Sequence, residues 1–214
     1  MDLYIDTANL DEIKQAHDMG ILDGVTTNPS LIAKEGVDYT QRITEICEIV
    51  KGPVSAEVIS TDFEGMLKEG REAAKIASNI VVKLPSTIDG VKACKALADE
   101  GTRTNLTLCF QPLQALMVAK AGAFLVSPFI GRLDDISHDG MDLIAQIRQI
   151  YDNYGYPTKV LAASIRHPKH MVDCALAGAD VATVPFGVIN QFMKHPLTDI
   201  GLEKFLADYK KQFG

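Results

Sequence analysis

Short apolar runs recur along the whole chain, at residues 3–6, 24–27, 54–59, 80–84, 103–108, 124–129, 159–164 and 181–185. Each is too short for a helix of its own. Such a run reads as a buried strand, and near-continuous apolarity marks a parallel strand covered on both faces. The intervals between the runs carry helical spacing. Asn9 followed by Glu12 opens a helix and Gly20 stops it. Ile43, Ile46, Cys47 and Val50 make a stripe at helical spacing, and residues 139–154 carry Leu143, Ile144, Ile147 and Ile150 on one side. Residues 169–177 and 188–194 fill the last two gaps. Eight strands alternating with helices predict an α/β protein, a (β/α)8 TIM barrel. A doubly wound open sheet is the rival architecture. It has fewer strands and often a glycine-rich nucleotide loop, and neither G-x-G-x-x-G nor G-x-x-x-x-G-K-S/T occurs here. No linker or composition break divides the chain, so a single domain over 1–214 is expected. One segment is left over: an additional C-terminal helix, about 198–213, with Leu202, Phe205, Leu206, Tyr209 and Phe213 on one stripe. It could cap the barrel's own floor or dock on a neighbouring subunit.

The pattern places one cation where cations are rare. Lys83 interrupts Ile80-Val81-Val82-Lys83-Leu84-Pro85, an apolar strand. A lysine there either snorkels to solvent from the strand end or is kept for chemistry. Burial disfavours an ammonium, and a neutral amine is what Schiff-base catalysis uses. On this segment alone, snorkelling is the simpler reading.

The ends of the other runs shift that balance. In a barrel, chemistry gathers where strands leave the C-terminal face. The successive runs end near Asp6, Asn28, Glu57, Lys83, Thr107, Phe129 with Arg132, and Ser164 with Arg166. Thr107 and Asn105 are two apart and share a face, as do Val81 and Lys83. Taken singly, Asp6 and Ser164 could be helix caps, Asn28 a turn residue before Pro29 and Glu57 a solvated strand residue. Together they form a polar rim around one lysine, which separate structural roles explain poorly.

Composition narrows the partners. The 214 residues are 47% hydrophobic and 23% charged, with a net charge of −7. That is an ordinary globular balance, and it argues against nucleic acid or an anionic membrane surface as partner. A few local cations can still bind a phosphate. No apolar run approaches the roughly 20 residues of a membrane span. The chain opens on Asp2-Leu3-Tyr4-Ile5-Asp6 without a signal-peptide pattern, and Cys47, Cys94, Cys109 and Cys174 are scattered without a C-x-x-C pair. Both point to a cytoplasmic protein with reduced thiols. There is no H-E-x-x-H and no three-histidine constellation. His167 and His170, spaced i, i+3 around Pro168, read as surface histidines of a helix start.

Several of these segments stand together in a recognisable order. Asp6-Thr7-Ala8, Gly24-Val25-Thr26-Thr27-Asn28-Pro29-Ser30, the Lys83 strand, Asn105-Leu106-Thr107, Ser127-Pro128-Phe129-Ile130-Gly131-Arg132 and Ala162-Ala163-Ser164 resemble the transaldolase family. The resemblance is to its short-chain branch, which also contains fructose-6-phosphate aldolases, and it spans essentially the full length. It implies a (β/α)8 fold, sugar-phosphate substrates and no metal or other cofactor, because an iminium does the electrophilic work. It implies that Lys83 forms a Schiff base with a ketose, that Asp6 is the general acid/base, and that Glu57 and Thr107 hold a catalytic water. Asn28 and Asn105 match groups that bind the hydroxyls of the triose unit. Arg132 and Ser164 match phosphate-site residues, and Arg166 lies near enough to be a second phosphate cation. The Ser164-Ile165-Arg166 turn is expected to lead into a helix whose N-terminus adds amide donors. Short-chain members form pentamers or decamers, so a homo-oligomer is expected.

Two positions bear on the outcome of the reaction. Aldolases of the branch resemble one another in having Gln on the third strand and Tyr on the sixth, and this chain has Glu57 and Phe129, the transaldolase pattern. A Tyr hydroxyl could position water near the imine, and Phe129 cannot. Two other readings are weighed. A deoxyribose-phosphate-type aldolase pairs its lysine with a second lysine, and Lys159 starts its strand, at the wrong end of the barrel. A non-catalytic sugar-phosphate binder on the same scaffold would be expected to lack the lysine or the acid, and both are present.

Overall fold

The computed structural model describes residues 1–213. The chain runs β1 (Asp2–Asp6), α1 (Leu10–Asp18), β2 (Gly24–Thr26), α2 (Pro29–Glu35), α3 (Tyr39–Ile49), β3 (Val54–Glu57), α4 (Phe63–Ala73) and β4 (Ile80–Pro85). It continues through α5 (Ile88–Asp99), β5 (Thr104–Cys109), α6 (Pro112–Lys120), β6 (Leu125–Pro128), α7 (Ile130–Asp134), α8 (Gly140–Tyr154) and β7 (Lys159–Ala162). The last elements are α9 (Pro168–Leu176), β8 (Val181–Val184), α10 (Phe186–Ile189) and α11 (Pro196–Phe213). The eight strands pair in chain order and close, β8 on β1, into an all-parallel barrel. This is a TIM barrel.

The strand alternation sorts side chains into two cores. Outward positions such as Ile5, Val25, Val54, Val82, Leu84, Leu106, Val126 and Val160 pack under the helices. Inward positions Tyr4, Val81, Leu125, Leu161 and Val181 fill the floor of the barrel. Tyr4 is registered opposite Gly24, and a Cβ at Gly24 would lie 2.7 Å from the Tyr4 ring. The missing side chain is what lets a tyrosine occupy the floor.

Helix starts follow their caps. Asn9 accepts from the Asp11 and Glu12 amides, and Asp38, Asp62, Thr87 and Asp139 cap α3, α4, α5 and α8. After β8 the structure departs from expectation. The helix anticipated over 188–194 is a single turn, Phe186–Ile189. The strand expected over 54–59 stops at Glu57, and the one over 159–164 stops at Ala162. In both, the apolar character runs on into buried loop residues, Val58 and Ala163. The additional C-terminal helix is present as α11, and none of its described residues is buried. Leu202, Phe205, Leu206, Tyr209 and Phe213 are all at least 56% exposed, so the stripe does not cap the barrel floor.

Candidate active site

Above the apolar floor the inward positions turn polar. Glu57 on β3, Lys83 on β4 and Asn105 on β5 are registered side by side. Their side chains all enter the barrel because each occupies an inward position of its strand. Lys83 is 6% exposed. Its Nζ lies 2.9 Å from Glu57 Oε2 and donates to the Thr27 carbonyl at 2.9 Å. The amine is therefore aimed into the barrel mouth. The snorkelling alternative is not what the structure shows.

A cavity of about 730 Å³ opens at the C-terminal ends of the strands. Of the residues singled out from sequence, Asp6, Asn28, Glu57, Lys83, Thr107, Phe129, Arg132, Ser164 and Arg166 line it. Asn105 is fully buried and is not in its wall. Asn105 Nδ2 donates to Ser55 Oγ at 3.1 Å, and its Oδ1 accepts from Ser127 Oγ at 2.7 Å. Ser127 does line the cavity.

The walls carry distinct chemistries. On one side, Asp6 Oδ1 accepts from Thr26 Oγ1 at 2.8 Å, and Thr26 Oγ1 is 2.6 Å from Thr183 Oγ1. This string of hydroxyls fixes one oxygen of the carboxylate. Asn28 caps α2 through Oδ1, which accepts the Leu31 amide at 2.9 Å. Thr107 Oγ1 is buried and has no hydrogen-bond partner among the described residues. An orphaned buried hydroxyl in a polar cavity is a place for a water or a substrate hydroxyl. Beside it the β5–β6 register shifts between Leu106 and Cys109, and Leu108 takes a left-handed φ of 58°. This bulge re-aims the chain at the strand end.

The rim beyond β6 and β7 carries cations. Arg132, exposed on α7, lies over the Phe129 ring at 4.9 Å. Arg166 pairs with Asp135 at 2.8 Å across an exposed gap. Ser164 sits between them in sequence at φ 60°. The turn leads into a helix, as expected, but its first turn offers few free amides. α9 begins at Pro168 with His167 as its cap, proline supplies no amide donor, and the Arg166 N–H is already spent on His170 Nδ1. His170 is not on the surface as expected. It is 6% exposed and paired with Asp134 at 2.9 Å.

Thr26, Ser127, Thr183 and Lys34 also stand in the cavity wall, though their sequence positions alone did not mark them as site residues. Thr26 and Ser127 stand two residues before Asn28 and Phe129, so the strand period carried a signal for both. Lys34 belongs to α2 and had none. The four cysteines are free and buried. Burial pushes the Cys47 thiol up to about 11 and the Cys109 and Cys174 thiols up to about 12, which leaves them poor nucleophiles. Among the described residues, no group of three or more His, Cys, Asp or Glu side chains could hold a metal ion, and no helix is long and apolar enough to cross a membrane.

Comparison with known proteins agrees with this geometry. Residues 3–213 match the family described as transaldolase/fructose-6-phosphate aldolase. The chain is 59% identical over 211 residues to a probable transaldolase of Anaeromyxobacter sp. (strain K), covering 99% of this chain and 97% of that one. It is 59% identical to a probable transaldolase of Leptospira biflexa, covering 99% of each. It is 60% identical over 216 residues to a probable transaldolase of Agathobacter rectalis, covering 100% of both.

Proposed function

The chain belongs to the transaldolase/fructose-6-phosphate aldolase family, and from that premise we propose that it is a transaldolase working through a Schiff base on Lys83. It transfers a dihydroxyacetone unit from a ketose phosphate, fructose 6-phosphate or sedoheptulose 7-phosphate, to an aldose phosphate, erythrose 4-phosphate or glyceraldehyde 3-phosphate. This is chemistry of the non-oxidative pentose phosphate pathway. The observation that carries the reading is the Lys83 amine, buried and 2.9 Å from the Glu57 carboxylate, at the base of a polar cavity.

The steps follow from the neighbours. Lys83 Nζ gives a proton to Glu57 and attacks the ketose C2, forming a C–N bond and a carbinolamine. The C2 hydroxyl leaves as water, with its proton returned through Glu57 and a water resting on the orphaned Thr107 hydroxyl. The iminium then acts as electron sink. Asp6 takes the proton of the C4 hydroxyl, the C3–C4 bond breaks, and its electron pair enters the iminium as an enamine. The aldose phosphate departs. When an acceptor arrives, the enamine carbon attacks its aldehyde and Asp6 returns the proton to the new alkoxide. Hydrolysis frees Lys83. Asn28 holds triose hydroxyls directly, and Asn105 acts on them through Ser127. Arg132, Ser164 and Arg166 take the phosphate, since guanidinium forks match its oxygens.

The family also contains fructose-6-phosphate aldolases, which release free dihydroxyacetone. Glu57 and Phe129 favour transfer, because no phenol is available at position 129 to bring water to the imine. With fructose 6-phosphate alone, little free dihydroxyacetone should form. Adding erythrose 4-phosphate should give turnover to sedoheptulose 7-phosphate. Rapid dihydroxyacetone release without an acceptor would contradict the assignment.

We further place the protein in the cytoplasm as a single-domain homo-oligomer, a pentamer or decamer, without a nucleic-acid partner. The support is the acidic net charge, the four free thiols and the exposed apolar stripe of α11.

A further inference from the structure

The turn that carries Ser164 and Arg166 lies between the end of β7 and the start of α9. Ser164 takes a left-handed φ of 60°, a conformation a serine holds only when its surroundings impose it. Two hydrogen bonds do so. The Gly131 amide donates to the Ser164 carbonyl at 3.0 Å. Gly131 makes that approach possible, since a Cβ there would lie 2.3 Å from the Ser164 oxygen and 2.6 Å from Arg166 Nε. The second is the Arg166 amide donating to His170 Nδ1 at 3.3 Å.

His170 is buried in the first turn of α9, and its Nε2 lies 2.9 Å from Asp134 Oδ2. Asp134 Oδ1 in turn accepts the Gly140 amide at 2.9 Å. An imidazole that accepts at Nδ1 must carry its proton on Nε2, and a carboxylate facing Nε2 fixes that tautomer. Asp134 stands two residues after Arg132 on α7. The string Asp134–His170–Arg166 therefore ties the segment bearing Arg132 to the segment bearing Ser164 and Arg166.

We propose that His170 is a positioning residue for the phosphate end of the substrate, its neutral ring holding the Arg166 backbone so that Ser164 and Arg166 stay aligned against Arg132. This rests on reading those three as the phosphate site. His170 is not in the cavity wall and acts only through Arg166. The charged and titratable groups facing it are Asp134 from α7, the His167 ring at 3.8 Å from the turn, and Asp173 from α9, with the Arg166–Asp135 pair alongside. Protonating Nδ1 would replace the acceptor by a donor opposite the Arg166 N–H and break the tie.

Two substitutions separate positioning from bulk. In His170→Asn the amide oxygen can stand near the place of Nδ1. In His170→Gln the amide reaches toward Asp134 and leaves Arg166 without an acceptor. One hydrogen bond is worth on the order of 1 kcal/mol, about fivefold to tenfold in affinity. The expected result is a KM for fructose 6-phosphate raised about fivefold to tenfold in His170→Gln, with kcat within about threefold, and a KM within about twofold of wild type in His170→Asn. Both variants should still give a borohydride-trapped adduct on Lys83 with unphosphorylated dihydroxyacetone. The rise in KM below about pH 6.5 should be steeper in wild type than in His170→Asn, both sharing the titration of the phosphate itself. An unchanged KM in His170→Gln overturns the proposal, as does an equal loss in both variants together with loss of the adduct. Arg132→Gln tests the underlying reading separately. If it leaves the KM for fructose 6-phosphate unchanged, the phosphate site is misassigned. If it raises that KM while His170→Gln does not, only the positioning role fails.

Discussion

The Lys83 amine and the Glu57 carboxylate lie 2.9 Å apart, with side chains only 7% and 16% exposed. Neighbouring parallel strands put them there: Glu57 and Lys83 are registered partners on β3 and β4, both on inward positions. A buried pair of this kind is seldom kept for stability, because desolvation offsets much of the attraction. Its persistence fits a site in which a proton must pass between an amine and a carboxylate.

That cost can be measured. Glu57→Ala leaves a buried ammonium uncompensated and should destabilise the fold by roughly 3 to 5 kcal/mol in denaturant unfolding. Replacing both partners, Lys83→Met with Glu57→Leu, should recover most of the loss while abolishing activity. A double variant as unstable as Glu57→Ala would mean that the pair is structural.

Asp6 should matter after the Schiff base has formed. Asp6→Asn is expected to lower kcat by about 10²–10⁴-fold, the usual worth of a positioned acid/base. Borohydride trapping with fructose 6-phosphate should still label Lys83. Thr26→Val removes the hydroxyl 2.8 Å from Asp6 and should lower kcat by about tenfold or less. Loss of trapping in Asp6→Asn would move its role to an earlier step.

Acid should weaken the fold in two stages. Burial and the adjacent His167 hold His170 below its ordinary 6.5, outweighing Asp134. The unfolded chain then binds the proton more readily, so this contribution is present above about pH 6.5 and lost as pH falls below it. Glu69 is also lowered. Its burial opposes ionisation, and hydrogen bonds from the Ser60 hydroxyl and the Ile59 and Ser60 amides overcome that. Its contribution is lost further down, below the ordinary 4.5. Thermal melts should show the first decline in wild type and not in His170→Asn, and the second in wild type and not in Glu69→Gln.

The α11 stripe, from Leu202 to Phe213, buries nothing within its own chain. Removing residues after Thr198 should shift the protein to smaller species by sedimentation and lower its melting temperature. An unchanged oligomer would put the stripe to another use.

Much of this was legible in the sequence. Parallel strands buried on both faces announce themselves as apolar runs, and seven of them end in the residues that ring the cavity. Other features were not legible. The burial of His170 depends on Asp134, 36 residues earlier, and no local pattern near Pro168 carries that contact. Asn105 was read by the face it shares with Thr107 and by the family resemblance, but depth along the barrel axis is set by strand stagger, and it falls below the cavity wall. The stop of β3 at Glu57 was hidden because buried Val58 prolongs the apolar run.

Borohydride reduction in the presence of fructose 6-phosphate shows whether Lys83 forms the Schiff base. A stable mass increase matching a reduced sugar or dihydroxyacetone adduct is expected, located by peptide mapping on Lys83 and absent in Lys83→Ala. A fully active enzyme that gives no adduct, or one labelled on another lysine, would contradict a Schiff base on Lys83.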